Sequence, residues 1–526
     1  MRQNGIDMYR VSNFFIKNCV TVLFVILCII ALYITTFSPT FILEEIFMRM
    51  GRSTLLVLSL LIPVIAGLGL NFGIVVGAIA AQAGIFIAVF FFQYIETLFG
   101  EGRLLGFMAD FAGIGFIGFL IAFAVATPLA ILFGFLVGKL FNKMKGTEMI
   151  GGLVAGFFSD GLYQFFFLFV MGGLFTVDMM ARLFPDAALN LILPTGVGVM
   201  VNINLQGNIA GAVDNVSMLR IVDAAFYVVS AVSAVMLIYR FVTKKALGLL
   251  KIAKVFVPVA ILWGASHIFP AVEEFLLADR LRLIYAVEWT AFLVAAISLW
   301  RIIQEKALQK KEGVPLRPIL YLAAAALVYG ITWHPAVYTA FMHVRLPVLT
   351  FLLIIGTCFF IRWFLNTRLG QNMRTVGQDR AVATSAGINV NRVRIIAIIM
   401  STTLACWGQL IFLQNMGTMA MYGAHPAVGL YTVAALLVGG ASVQSAGIKN
   451  ALLGVVLFHT LIFLAPNVGA QLMGDSQHGE FFRLFITYGV VAISLALYAW
   501  SRIKTASSAA QIGDPAPDTG GGAQES

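Results

Sequence analysis

The stretch MRTVGQDRAVATSAGINVNRVR, residues 373–394, lies between long apolar runs at 346–365 and 394–414. It is polar and basic, and it is built around Ala381, Ala383, Ala386 and Gly387. Asp379 is placed to cap a short helix over 380–386, because its carboxylate can accept from the free amides of a first helical turn. Gly387 follows as a residue able to take positive φ and stop that helix. Ile388 then folds back on Val382, and Asn391 caps the next apolar run. The stretch reads as short helix, sharp turn, membrane helix. On these physics alone the short helix either docks into a partner's groove through Val382 and Ile388 or lies on the membrane surface.

The flanking runs set the class. The chain has 526 residues, 60% of them hydrophobic and 11% charged, with a mean hydropathy of +0.95. That balance excludes a soluble globular domain. A helix needs about 20 apolar residues to cross the hydrocarbon, and such runs recur near 18–38, 54–70, 72–94, 111–138, 149–175, 223–242, 255–272, 283–302, 319–341, 346–365, 394–414, 427–446, 448–466 and 483–501. The expectation is an all-α polytopic membrane protein of about fourteen segments. The pair at 54–94 is the exception, because Pro63 and several glycines permit a broken or re-entrant segment.

The basic residues orient the chain. If every run crosses once, Arg2, Arg10, Lys17, Lys139, Lys143, Lys145, the clusters 240–254 and 301–317, the six arginines of 362–394, Lys449, Arg502 and Lys504 share one side. That side holds 25 of the 34 Lys plus Arg. The positive-inside rule makes it cytoplasmic, with both termini inside. The first run reads as a retained signal anchor. Residues 1–17 are then a cytoplasmic N-terminus, 176–222 the longest extracytoplasmic loop, and the small, polar, Pro/Gly-rich 505–526 a disordered tail.

The missing chemistry narrows the function. There is no G-x-x-x-x-G-K-[ST] loop, no H-E-x-x-H and no nucleophile elbow. The expectation is a chain that is not an enzyme, binds no cofactor or metal and engages no nucleic acid. Cys19, Cys28, Cys358 and Cys406 form no C-x-x-C pair and read as packing residues. The histidines at 267, 334, 343, 425, 459 and 478 are scattered, without ligand spacing. Asp160 and Glu288 stand out as acids within apolar runs, where charge is costly. They form no visible proton relay. The pairs Gly73 and Gly77, Gly134 and Gly138, and Gly152 and Gly156 have the spacing that lets helices approach closely in lipid.

AVATSAG at 381–387, inside VGQDRAVATSAGINVNRVR, resembles the E-A-A-x-x-x-G motif of ABC-importer permeases, with Ala381 in place of the motif's Glu. The longer form is similar to the permeases for simple sugars, nucleosides and branched-chain amino acids. Three glycine-containing stretches resemble the same family: 61–86, 134–163 and 433–457. The likeness covers about 55–220 and 345–500, leaving four runs from 223 to 341 as an apparent insertion. The implied fold is a permease core of about ten helices, in parts 18–222 and 342–504, with inserted helices over 223–341.

The resemblance implies the transmembrane subunit of an ABC importer. Residues 379–388, with Asp379, Arg380, Ala381, Val382, Ala383, Ala386, Gly387 and Ile388, then form the coupling helix that docks on a separate ATPase. That partner binds ATP and Mg. Other implied partners are a second permease copy or paralogue, an extracytoplasmic solute-binding protein, the small polar solute and membrane lipid. Candidate pathway residues are Asn71, Gln82, Asp160, Gln164, Gln409, Asn415 and Gln444. Uncharged amides and few acids suit a polar neutral cargo such as a sugar or nucleoside, and a simple sugar is the first expectation. Nucleosides or branched-chain amino acids are the alternative within the same machine, and an ion-coupled secondary transporter is the rival from another class.

Overall fold

The computed structural model describes residues 19–99, 113–144, 146–193, 197–243, 249–304, 316–475 and most of 477–496. The segments 1–17 and 505–526, the basic residues 2, 10, 17, 145, 244, 245, 306, 310, 311, 502 and 504, and part of the run 483–501 lie outside them. In chain order the helices are α1 Cys19–Ile34, α2 Pro39–Ser59, α3 Leu61–Ile65, α4 Ile74–Phe90, α5 Phe92–Phe99, α6 Ile114–Lys143 and α7 Glu148–Phe165. The next are α8 Val177–Leu183, α9 Met218–Thr243, α10 Leu249–Ile268, α11 Pro270–Leu276, α12 Leu283–Ile303, α13 Leu316–Thr332 and α14 Pro335–His343. Then come α15 Val348–Phe364, α16 Arg368–Gln378, α17 Arg380–Ser385, α18 Val390–Met416, α19 Ala424–Val438 and α20 Ile448–Met473. The strands are four three-residue pieces: β1 Asn202–Asn204, β2 Arg280–Arg282, β3 Arg345–Pro347 and β4 Thr418–Ala420. The protein is an all-α polytopic membrane protein.

Among the described residues seven helices are long and apolar enough to cross a membrane, or up to ten if each bent pair is one span. Within the described residues, local structure breaks or shortens several of the apolar runs. The run 319–341 is two helices bent by 85° where Pro335 opens α14. The run 427–446 becomes α19 of only 15 residues. The stretch 54–94 is indeed broken: α2 and α3 end at Ile65, residues 66–73 are non-helical, and α4 meets α5 at 60°. Helix α2 also starts at Pro39, well before its apolar run. Its charges are partly matched there, with Glu45 accepting from Arg49 at 2.8 Å.

The chain divides into two units, residues 1–35 with 430–526, and residues 36–429. In the smaller, α1 and α20 run parallel. Cys28 Sγ donates to the Leu457 carbonyl at 3.3 Å, and Thr35 Oγ1 to Asn467 Oδ1 at 2.9 Å. Gly454 comes so close to the end of α19 that a Cβ on it would lie 3.0 Å from Gly439 N.

In the larger unit α18 is the central helix, packed by α6, α4 and α2. Small residues make these approaches possible. A Cβ on Gly134 would lie 2.8 Å from Ile399 Cα, one on Gly138 3.0 Å from Ile395 Cα, and one on Gly408 2.8 Å from Leu56 N. Gly152 meets Gly73 N at 3.0 Å by the same construction, so two of the spaced pairs touch each other. The loop 176–222 folds onto this bundle and buries Leu191, Val199, Ile203, Leu205 and Ile209. Strand β1 pairs antiparallel with β4, with Ile203 opposite Met419.

Candidate functional site

Helix α16 turns 75° away from α15 and is amphipathic, burying Gly370, Met373 and Val376. Asp379 then ends α16 and starts α17. Its Oδ1 accepts from Ala381 N at 2.7 Å and Val382 N at 3.1 Å, satisfying two of the first-turn amides. At the other end Gly387 takes φ +76°, its amide donates to Thr384 O at 3.0 Å and Ile388 N donates to Ala383 O at 3.0 Å. These two bonds define a Schellman stop. A Cβ on Gly387 would meet nothing within 4 Å, so the demand there is conformational. The cap of α18 is Asn389, whose Oδ1 accepts from Arg392 N at 3.0 Å. This corrects the expectation for Asn391, whose carbonyl instead accepts from Asn142 Nδ2 at 2.9 Å.

The rest of α17 is open. Ala383 is buried, Ile388 is half-buried, and Val382 is 56% exposed. Between two tightly held spans the chain therefore presents a rigid helix of small side chains with an apolar residue at its centre.

What holds α17 in place was hidden in the sequence. Arg380 Nη2 donates to Glu148 Oε1 at 2.8 Å and reaches the Gly67 carbonyl at 3.4 Å. The same Glu148 oxygen accepts from Arg394 Nη2. Glu148 Oε2 accepts from Gly146 N at 3.0 Å, and Arg394 also donates to the Phe141 carbonyl at 3.1 Å. One carboxylate at the start of α7 thus joins the first residue of α17 to the first turns of α18 and the end of α6. Beside it, Gly67 (φ +70°) sits on Gly377, where a Cβ on Gly67 would lie 2.7 Å from Gly377 Cα. The last turn of α16 rests directly on the break before α4.

The pathway candidates separate into distinct environments. Asp160 and Gln164 are adjacent on α7, with Gln164 Nε2 donating to Asp160 Oδ1 at 3.0 Å. His425, fully buried, places Nε2 2.6 Å from the same oxygen, and the Tyr163 ring stands edge-on to it at 4.8 Å. Among the described residues the scattered histidines therefore conceal two Asp–His contacts, this one and a looser one in which His267 Nε2 lies 3.6 Å from Asp223 Oδ1. Asn71 is satisfied internally, donating to Ser401 Oγ at 3.3 Å and accepting from Gly73 N at 3.0 Å. Gln82 donates to the Ala420 carbonyl at 3.3 Å. Gln409 is fully buried, and neither its Nε2 nor its Oε1 has a hydrogen-bond partner among the described residues. Asn415 belongs to a different network, donating to Asp214 Oδ2 at 2.6 Å while Thr350 Oγ1 donates to Asp214 Oδ1 at 2.5 Å. Gln444 is exposed in the other unit. Only Asp160 and Gln164 come together.

Glu148, Arg394, His425 and Asp214 were missed by sequence reasoning. Glu148 and Arg394 sit at the margins of apolar runs, where a charge looks like an interface residue. The signal for them was weak: each stands just inside the start of a long helix, where a charge has to be neutralised by a tertiary partner.

Comparison with known proteins agrees with this architecture. A sequence family described as branched-chain amino acid transport system / permease component matches residues 218–495, more than half of the chain and including 223–341. Among curated proteins, the ribose import permease protein RbsC of Escherichia coli strain K12 is 32% identical over 131 residues, 24% of this chain and 38% of the relative. The proteins of that name from Escherichia coli O6:H1 and O157:H7 match to the same extent. The alignment thus spans less than half the length of these relatives. No solved structure matches the chain. With spans of this kind around a capped, exposed interspan helix, and a family match over most of its second half, the chain belongs to the branched-chain amino acid transport permease family, the membrane-spanning component of ABC transporters.

Proposed function

We propose that this chain is the transmembrane subunit of an ABC importer for a small polar solute, with a simple sugar as its cargo. The observation that carries the reading is the exposed, doubly capped helix α17 between α16 and α18. Its small surface lets a partner backbone approach, and Val382 offers the apolar anchor of a helix-in-groove contact. The partner is an ATPase subunit that binds ATP and Mg. A second permease copy or paralogue and an extracytoplasmic binding protein complete the assembly. The α17 end of the bundle and both termini face the cytoplasm.

The preference for a sugar rests on two supports. The curated relatives are named for ribose import. The candidate pathway side chains are mostly neutral amides, Gln82, Gln164 and Gln409, which bind hydroxyls without the charge that an amino-acid cargo requires. Asp160 and His425 add one hydrogen-bonded polar pair.

The test is recovery of the tagged protein from its own cells in mild detergent, followed by mass spectrometry. A P-loop ATPase should be recovered with it and should disappear when residues 381–387 are scrambled. Absence of an ATPase, under conditions that keep a known ABC complex intact, would overturn the assembly. A further expectation concerns Gly387→Val. A β-branched residue at positive φ is strained by about 1–3 kcal/mol, so the turn should open and α17 lose its register. Reconstituted complexes should then hydrolyse ATP without solute uptake while the subunit remains inserted. Uptake at the wild-type level in that variant would remove α17 from the coupling step.

A further inference from the structure

Three positions on different elements share one carboxylate, and they differ in how firmly they are held. The Glu148 side chain is 7% exposed and that of Arg394 1% exposed, whereas that of Arg380 is 37% exposed. Glu148 and Arg394 form a neutral buried pair, each with a further backbone tie, through Gly146 N and the Phe141 carbonyl. Arg380 is the surplus cation. Withdrawing it leaves no uncompensated charge behind, and its guanidinium already reaches solvent. Withdrawing Arg394 would leave a buried carboxylate facing only a half-exposed partner. The two ion pairs on Glu148 are therefore unequal: the inner one is structural, and the outer one can be broken at small cost.

We infer that the Arg380–Glu148 contact is a releasable latch, through which α17 is held to the bundle in one state of the transport cycle and freed in the other. The inference rests on the reading of α17 as the coupling helix. Arg380 acts here as a positioning residue. It is the first residue of α17, so any rotation of that helix about its contact with the bundle moves the guanidinium directly. The inner pair keeps α6, α7 and α18 joined while this happens. Arg380 also points to the Gly67 carbonyl, so its release frees α17 from α7 and from the 66–73 break together. A latch of this kind sets the balance between two states. It penalises the freed state by the strength of one half-exposed ion pair, and the ATPase overcomes that penalty when it closes.

The experiment uses the complete importer, purified with its ATPase and reconstituted in vesicles, with ATP hydrolysed per solute taken up as the readout. Arg380→Ala leaves the inner pair intact, so folding and insertion are spared. It should raise ATP hydrolysed per solute by about two- to fivefold, the most that a half-exposed ion pair supplies, and raise hydrolysis without solute. Arg380→Lys should restore most of the coupling, because an ammonium still pairs with Glu148. Three results are informative against the inference. If Arg380→Ala retains the ATPase and keeps the wild-type ratio, the latch is wrong and the coupling helix stands. If Arg380→Ala loses the ATPase in the pull-down, Arg380 is a docking contact and not a latch. If the wild-type protein itself brings down no ATPase, the coupling-helix reading fails, and the latch with it.

Discussion

Glu148→Ala is expected to lower the stability of the protein by about 3–5 kcal/mol, the cost of leaving a buried charge unpaired. Arg394 is 1% exposed, and its Nε and Nη1 have no hydrogen-bond partner among the described residues. Its compensation comes from Glu148 and the Phe141 carbonyl. Alanine removes the charge and leaves the guanidinium enclosed between α6 and α18. The control is Glu148→Ala combined with Arg394→Met, which removes both charges and keeps much of the volume. That double variant should regain most of the loss, because an apolar replacement of a buried ion pair is often neutral or better. Thermal survival as a monodisperse species in detergent measures all three proteins. Equal survival of Glu148→Ala and the wild type would mean that the inner pair holds nothing together.

Gly377→Ala should cut solute uptake by about tenfold while the spans still insert. The added methyl points at the Ile65 carbonyl and lies 3.0 Å from Gly67 N. Both are backbone atoms, so neither can rotate away, and overpacking of this kind costs about 1–3 kcal/mol. The chain relieves the clash by lifting α16 off the break at 66–73. That break leads into α4, where Asn71 ties it to Ser401 on α18. Movement of α16 and α17 would then no longer reach α4. Solute uptake measured in vesicles, beside ATPase retention in the pull-down, separates this from loss of docking. Wild-type uptake with the ATPase retained would show that the Gly67–Gly377 contact transmits nothing.

The parts of this protein that were legible in its sequence are the local ones. Asp379, Gly387 and the small residues between them specify α17 through capping and turn chemistry, and all of that acts within ten residues. The break near Pro63 was visible for the same reason. The contacts that anchor α17 were not visible, because Glu148 and Arg394 lie 246 positions apart in the sequence, and a lone charge at the edge of an apolar run has no local signature. His425 shows the same limit. Read alone it is a packing histidine, and only the fold brings it to Asp160. Hydrophobic runs also fail to show bends. Nothing in 319–341 except Pro335 marks the corner between α13 and α14, and the charges of α2 hid its true start at Pro39.

The short ribbon of β2 and β3 has a practical consequence. Strand β2 pairs with β3, Arg282 opposite Arg345. Met218 N reaches the Ala278 carbonyl at 3.4 Å, and Arg280 reaches Asn215 Oδ1 at 3.3 Å. The chain therefore departs near 215–218, returns near 278–282, departs again and returns at 345–347, all at one spot. Paired residues in such a ribbon lie about 5 Å apart, so each excursion begins and ends between neighbours. For the engineer this spot is a ready-made port. A rigid reporter could be spliced in there, with its two ends already side by side.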